Sequence, residues 1–254
     1  MNQVPQRIVC LSAEVADWFW RIGAWEQVAG VTAFFKQPMD APPKPRVSGF
    51  STAQLDVIER LQPDLIITFS DVQAKLAASF IQNGFPVIAT NQRTLAEIEQ
   101  TLGLLARIAG RERNAETLLN EFCARIAPLA EVADHPRVYF EEWNEPLISG
   151  IAWVSELIER AGGNDIFSGL REKRAASERV VLPEQIVQAD PEIILASWCG
   201  KPVQATQIAG RPGWRDLTAV REKRIYEIAS EDILQPGFRL VYGYEQIKQL
   251  LASR

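Results

Sequence analysis

A repeated segment constrains this chain more than any other feature of its sequence. Residues 55–67 and 183–195 align without gaps, and each combines a short helical pattern, a proline and an apolar run. Asp56 and Glu184 are 128 residues apart, as are Pro63 and Pro191. Because the flanking elements also follow in the same order, we interpret the chain as a duplication of one α/β unit.

The rest of the chain alternates short apolar runs with helical patterns. In the first half, this alternation predicts strands at residues 7–12, 28–32, 64–69 and 86–90, and helices at 15–22, 54–61 and 72–83. In the second half, it predicts strands at 137–142, 192–196 and 224–229, and helices at 153–161 and 183–189. We therefore expect two Rossmann-like α/β lobes whose sheets are mainly parallel and covered on both faces.

The region between the two halves has a helical pattern. We expect an N-terminal lobe at residues 1–93, a connecting helical region at 94–133 and a C-terminal lobe at 134–254. A helix over residues 111–132, kinked at Pro128, would be roughly 33 Å long. We expect such a helix to act as a stiff spine that joins the lobes, with the ligand cleft between the two lobes.

Charge and hydropathy exclude two classes of protein. The net charge is −5 and no long basic block occurs, so nucleic-acid binding is not expected. No apolar run reaches the ~18 residues of a membrane span. The first residues lack the pattern of a secretory signal, which predicts a cytoplasmic protein if this chain is native and a periplasmic one if a signal was removed.

The sequence also lacks the motifs of most catalytic sites. His135 is the sole histidine, and a zinc site normally needs several, so we expect no metal. Glycine-rich phosphate loops and a Gly-x-Ser-x-Gly motif are both absent, so we expect no cofactor and no catalytic residue. Glu141, Glu142 and Glu145 cluster where a strand ends, which keeps open a carboxylate-based enzyme using Glu142.

Aromatic residues offer a better candidate for a site. Trp143 and Trp198 each follow a predicted strand, beside Asn144 and Gly200 respectively. At such positions an aromatic side chain can face a crevice and hold a large, flat, apolar ligand. Trp18, Trp20 and Trp25 are instead expected to pack in the core.

Several motifs together resemble the helical-backbone (class III) ABC-importer substrate-binding proteins, most closely their vitamin B12-binding branch. The resemblance extends from Arg7 to about Leu251. The motifs that carry it are Arg7-Ile8-Val9-Cys10-Leu11-Ser12, Ser48-Gly49-Phe50 ahead of Leu55-Asp56-Val57-Ile58, Leu61-Gln62-Pro63-Asp64-Leu65-Ile66, Ile148-Ser149-Gly150, Leu182-Pro183-Glu184-Gln185-Ile186, Ala189-Asp190-Pro191-Glu192-Ile193-Ile194, Arg211-Pro212-Gly213-Trp214 and Gln235-Pro236-Gly237-Phe238-Arg239-Leu240.

The resemblance implies a monomer that binds a small molecule, a corrinoid such as cobalamin, without changing it. The resemblance implies ligand contacts at Phe34, Phe50, Leu147, Glu231 and Gln235, with Gln235 standing where the family usually has arginine. The aromatic pattern adds Trp143, with its neighbour Asn144, and Trp198 to the expected ligand-binding residues. The resemblance also implies that Asp56 and Glu184 dock an ABC permease if the protein is exported. A haem or siderophore binder of the same fold and a cytosolic corrinoid carrier remain open.

Overall fold

The computed structural model describes residues 4–130 and 134–253. Contacts divide the chain into two compact units. The first unit comprises the residues up to Gln92 together with Ala96–Cys123, and the second comprises Arg93–Leu95 and the residues from Ala124 onward. The predicted fold class is confirmed, because each unit is an α/β domain built on a mainly parallel sheet.

Over its described residues, the first unit contains five strands and the helices that cover them. The strands are β1 (Ile8–Cys10), β2 (Val28–Thr32), β3 (Arg46–Ser48), β4 (Leu65–Phe69) and β5 (Val87–Thr90). The α-helices are α1 (Ala13–Arg21), α2 (Leu55–Leu61), α3 (Ala74–Gln82), α4 (Leu95–Ala109) and α5 (Glu112–Arg125), the last of which ends in the second unit. All pairs in the sheet are parallel, in the order β3-β2-β1-β4-β5.

Apolar residues on both faces of this sheet form the core of the first unit. On one face, Val9, Leu11 and Ile66 pack with Ile58 of α2 and Phe80 of α3. The residues between them in β1 and β4, such as Ile8 and Ile67, are also fully buried. Burial on both faces explains why these strands are continuous apolar runs.

The second unit has the same kind of sheet with one antiparallel strand. Its strands are β6 (Arg137–Asn144), β7 (Leu147–Ser149), β8 (Asn164–Asp165), β9 (Ile193–Ala196) and β10 (Ile225–Glu227). Its α-helices are α6 (Ala152–Arg160), α7 (Pro183–Ala189), α8 (Ala205–Ala209), α9 (Thr218–Arg221), α10 (Ser230–Ile233) and α11 (Leu240–Ala252). The order is β10-β9-β6-β7, with β8 paired to β6, and only β7 runs antiparallel.

The repeated segments adopt the same conformation in both units. Helix α2 precedes Pro63 and β4, and helix α7 precedes Pro191 and β9. The residues that end these helices, Gln62 and Asp190, both adopt the left-handed conformation, with φ of 47° and 42°. A positive φ is uncommon for residues other than glycine, so the shared geometry supports the duplication.

The main departures from the predicted elements are local. Helix α5 ends at Arg125 rather than continuing through Pro128, and residues 131 and 132 of the predicted helix lie outside the described residues. Strands β3, β7 and β8 were not predicted, because runs of two or three residues carry too little periodicity. The separate connecting region at 94–133 and the cleft between lobes stay predictions.

Candidate functional site

The carboxyl ends of the parallel strands in the first unit meet at one edge of the sheet. The loops that leave this edge begin after Cys10, Thr32, Ser48, Phe69 and Thr90. Open α/β sheets bind ligands outside the carboxyl ends of their strands, so a ligand site is expected at this edge.

Two phenylalanines lie exposed at this edge. Phe34 follows β2 and is 45% exposed, and Phe50 follows β3 and is 52% exposed. Their ring centroids are 6.2 Å apart and their planes meet at 87°, which is an edge-to-face contact. The structure therefore brings together two of the predicted ligand-binding residues and leaves both rings accessible.

Gln73 connects the loops around this aromatic pair. Its Nε2 donates hydrogen bonds to the carbonyl oxygens of Phe50 at 2.9 Å and Leu11 at 3.0 Å. Its Oε1 accepts a hydrogen bond from the backbone N–H of Phe69 at 2.9 Å. Gln73 is buried and thus ties the ends of three strands to one side chain. Sequence reasoning did not identify it, and its only signal was a polar residue shortly after a buried strand.

A buried carboxylate also lies where β1 ends. Glu14 stands in the first turn of α1, and its Oε1 is buried without a hydrogen-bond partner in the described part of the chain. Burial raises the pKa of Glu14 to about 7, since water no longer stabilises the charged form. A second contribution that raises the pKa is the nearby Asp17 carboxylate.

In the second unit, Trp143 and Asn144 are the last residues of β6, and both are half-buried. The indole Nε1 of Trp143 donates a hydrogen bond to the Glu145 carbonyl at 2.9 Å. The Oδ1 of Asn144 accepts a hydrogen bond from Lys201 Nζ at 2.6 Å. The sequence predicted that Trp143 follows the strand, but it lies within β6, because β6 pairs with β7 as far as Asn144.

The prediction that Trp198 and Leu147 are open to a ligand is wrong. Trp198 is 2% exposed and Leu147 is 8% exposed, and both pack in the core of the second unit with Tyr139 and Trp214. The Nε1 of Trp198 donates a hydrogen bond to Glu141 Oε1 at 3.1 Å. The position of Trp198 after a strand therefore did not make its side chain exposed, because the loop packs with the indole facing the core.

Two arginines neutralise the acidic residues of β6. Arg211 donates to both carboxylate oxygens of Glu141, at 2.5 and 2.8 Å. Arg179 donates to both oxygens of Glu142, at 2.6 and 3.0 Å, and its side chain is only 2% exposed. A general acid or base needs an oxygen that can exchange a proton with a substrate. The bidentate pair engages both oxygens of Glu142 and leaves little support for an enzyme based on it.

The predicted polar residues Glu231 and Gln235 are half-buried at and after α10. Glu231 is in the first turn of this helix. Next to it in the chain, Asp232 forms an ion pair with Arg239 at 2.5 Å. The structure therefore places a charged segment here, and the role of Glu231 and Gln235 in ligand binding stays a prediction.

Asp56 and Glu184 are exposed in the first turns of α2 and α7, as predicted. Asp56 forms an ion pair with Arg60, one helical turn later, at 3.1 Å. Both partners are about 70% exposed, so this pair adds little stability. The two acids are thus accessible to a partner.

Two observations bear on metal and membrane. Within residues 4–130 and 134–253, no group of three or more His, Cys, Asp or Glu side chains could hold a metal ion. Over the same ranges, no helix is both long and apolar enough to cross a membrane. The Nδ1 of His135 lies 3.1 Å from the Gly162 carbonyl oxygen, which is a structural contact.

Comparisons with known proteins agree with the fold of the chain. A family model described as periplasmic binding protein matches residues 8–231. An uncharacterized ABC transporter substrate-binding lipoprotein of Bacillus subtilis is 21% identical, with 98% of this chain and 81% of the relative covered. A vitamin B12-binding protein of Vibrio campbellii is 24% identical, with 97% and 89% covered. A periplasmic haem-binding protein of Roseiflexus has the same fold, with a TM-score of 0.80 at 20% identity over 96% of this chain and 97% of that one.

Proposed function

The chain belongs to the periplasmic binding protein family, the substrate-binding proteins of ABC-type importers, and we propose that its ligand is a corrinoid such as cobalamin. The exposed pair of Phe34 and Phe50 is the observation that carries this proposal. The vitamin B12-binding relative of Vibrio campbellii supports it at low identity.

The physical argument concerns the shape and polarity of the ligand. A large, rigid macrocycle can lie against aromatic rings while the amides on its rim stay hydrated. Such rings are already in place before the ligand binds, so little conformational entropy is lost on binding. Micromolar or tighter affinity, about −8 kcal/mol or better, is therefore expected.

The remaining contacts combine the sequence predictions with the structure. Trp143 and Asn144 at the end of β6 provide a second aromatic contact and an amide, and Glu231 and Gln235 provide polar contacts to the rim. Trp198 and Leu147 do not belong to this set, because their side chains are buried in the core.

The proposal includes binding without turnover and docking to a permease. The ligand is bound and released without chemical change, in keeping with the bidentate ion pair that engages Glu142. Asp56 and Glu184 dock a cognate permease, each through its exposed carboxylate.

The test is a titration with cobalamin, cobinamide and haemin, followed by tryptophan quenching and calorimetry. Saturable binding of either corrinoid at one site per chain, with the ligand recovered intact by mass spectrometry, is expected. If haemin binds and neither corrinoid does, the ligand is a haem rather than a corrinoid. Product exceeding the amount of protein would instead favour the enzyme that uses Glu142.

A further inference from the structure

A tight turn after β9 directs one lysine toward Trp143. The backbone N–H of Lys201 donates to the Trp198 carbonyl at 3.3 Å, which closes the turn. Gly200 within this turn has a φ of +79°, a conformation that a residue with a side chain adopts only with strain. The turn is thus built to return the chain toward β6 at the position of Lys201.

Among the residues that the structure describes, the ammonium group of Lys201 contacts only uncharged partners. Its Nζ lies 4.1 Å from the ring centroid of Trp143 and 5.1 Å from that of Trp198, which are cation–π distances. It donates one hydrogen bond, at 2.6 Å, to Oδ1 of Asn144. A lysine ammonium has three donors, so two remain for another acceptor.

The acids closest to Trp143 along β6 do not neutralise this lysine. Glu141 and Glu142 are each held by an arginine through both carboxylate oxygens. In the portion of the chain that the structure describes, Lys201 forms no ion pair with a carboxylate. An exposed positive charge thus remains beside two residues, Trp143 and Asn144, that are proposed ligand contacts.

We propose that Lys201 determines specificity by binding an oxyanion on the rim of the ligand. This inference rests on the proposed function, because it concerns the same site. In cobalamin the oxyanion is the phosphodiester of the nucleotide loop, which cobinamide lacks. In a haem it is a propionate carboxylate, which is neutralised in the dimethyl ester. A charge-assisted hydrogen bond from the ammonium to either oxyanion is stronger than its bond to the neutral Asn144 amide.

The decisive variant is Lys201→Met, which keeps an unbranched apolar stem and removes the charge. Its matched control is Lys248→Met, because Lys248 also lies over an aromatic ring, 4.8 Å from the centroid of Tyr244. Both variants and the wild type are titrated with cobalamin, cobinamide, haemin and haemin dimethyl ester at low and high salt.

Lys201→Met is expected to weaken the binding of the oxyanion-bearing ligand, cobalamin or haemin, by about fivefold or more, and Lys248→Met to leave that binding unchanged. The counterpart that lacks the oxyanion, cobinamide or the dimethyl ester, should bind wild type and Lys201→Met equally. High salt should shrink the difference, since the contact is electrostatic.

Failures of the two proposals differ in outcome. If the wild type binds a corrinoid but Lys201→Met binds cobalamin and cobinamide with unchanged affinity, or weakens both equally, the role of Lys201 is overturned and the corrinoid ligand stands. If the wild type binds haemin and its dimethyl ester but neither corrinoid, and Lys201→Met weakens the binding of haemin but not of the ester, the corrinoid is overturned and Lys201 stands. Binding of none of the four probes by the wild type overturns both.

Discussion

Arg137 repeats in the second unit the contacts that Arg7 makes in the first. The Nε of Arg7 donates to the carbonyls of Leu61 and Gln62, at 2.7 and 3.1 Å, and its backbone N–H donates to Asp64 at 2.9 Å. The Nε of Arg137 donates to the carbonyls of Ala189 and Asp190, at 3.1 and 2.9 Å, and its backbone N–H donates to Glu192 at 3.0 Å. Each arginine therefore caps the last carbonyls of the helix whose first turn carries Asp56 or Glu184.

Removing either arginine should destabilise the protein. Arg7→Ala and Arg137→Ala each leave the carboxyl end of a helix without its donor, at a cost of about 1 to 2 kcal/mol. Arg60→Ala is the control, because the exposed ion pair of Arg60 with Asp56 contributes little. Calorimetric melting measures the effect, and equal melting temperatures for all three variants would contradict the capping role.

Glu14 should make stability depend on pH. Its pKa is raised to about 7 in the folded protein from an ordinary value of 4.5, so the folded state binds more protons between these values. Stability is therefore expected to fall as pH rises through this window, by about 3 kcal/mol in total.

Glu14→Gln tests this dependence, since the amide cannot ionise. The variant should be more stable than wild type in urea unfolding at about pH 8 and should differ little at about pH 5. Glu26 is exposed and provides the control: Glu26→Gln should leave the urea unfolding curves at both pH values unchanged. A Glu14→Gln curve parallel to wild type across the range would show that Glu14 does not bind the extra proton.

Phe34 and Phe50 should affect ligand binding much more than stability. Both rings are about half exposed, so Phe34→Ala and Phe50→Ala should change the free energy of unfolding by roughly 0.5 kcal/mol or less. Corrinoid affinity should fall about tenfold for each variant, because each ring loses apolar contact with the ligand. Ile81→Ala, at an exposed position of α3, is the matched control in calorimetry. Unchanged affinity in both Phe variants would remove this pair from the site.

Trp198 and Trp143 should respond oppositely to truncation. Trp198→Ala opens a cavity in the core and removes a donor to Glu141, so the free energy of unfolding should fall by about 3 to 5 kcal/mol. Trp143→Ala should lower the free energy of unfolding much less, since this side chain is only half-buried. In this variant the quenching of tryptophan fluorescence by a bound corrinoid should decrease. Similar melting temperatures for the two variants would contradict the placement of Trp198 in the core.

Asp56 and Glu184 should matter only to the partner. The Asp56→Ala/Glu184→Ala double variant should bind cobalamin as wild type does, because both acids are exposed. Its stimulation of ATP hydrolysis by a cognate permease in proteoliposomes should fall at least tenfold, corresponding to about 1.4 kcal/mol of lost interaction. Glu59→Ala/Gln188→Ala, at exposed positions of the same helices, is the control. Equal stimulation by the two double variants would exclude docking through these acids.

The sequence by itself determined the duplicated α/β fold and most of its elements. Strand β2 and helix α7 have the predicted bounds, because runs of five to seven residues carry a clear periodicity and sharp ends. The spacing of Asp56 and Glu184 predicted their equivalent places in the first turns of two matching helices. These features depend on the local pattern of apolar and polar residues, which can be read directly from the sequence.

Only the tertiary structure decided which side chains are accessible. Trp143 and Trp198 look alike in the sequence, yet Trp198 packs against Tyr139 and Trp214 while Trp143 contacts Lys201. The link that Gln73 makes between Leu11 and Phe50 joins residues far apart in the chain. Likewise, the raised pKa of Glu14 arises from burial by its surroundings. Exposure and burial depend on what other segments bring to a position, and no local periodicity carries that information.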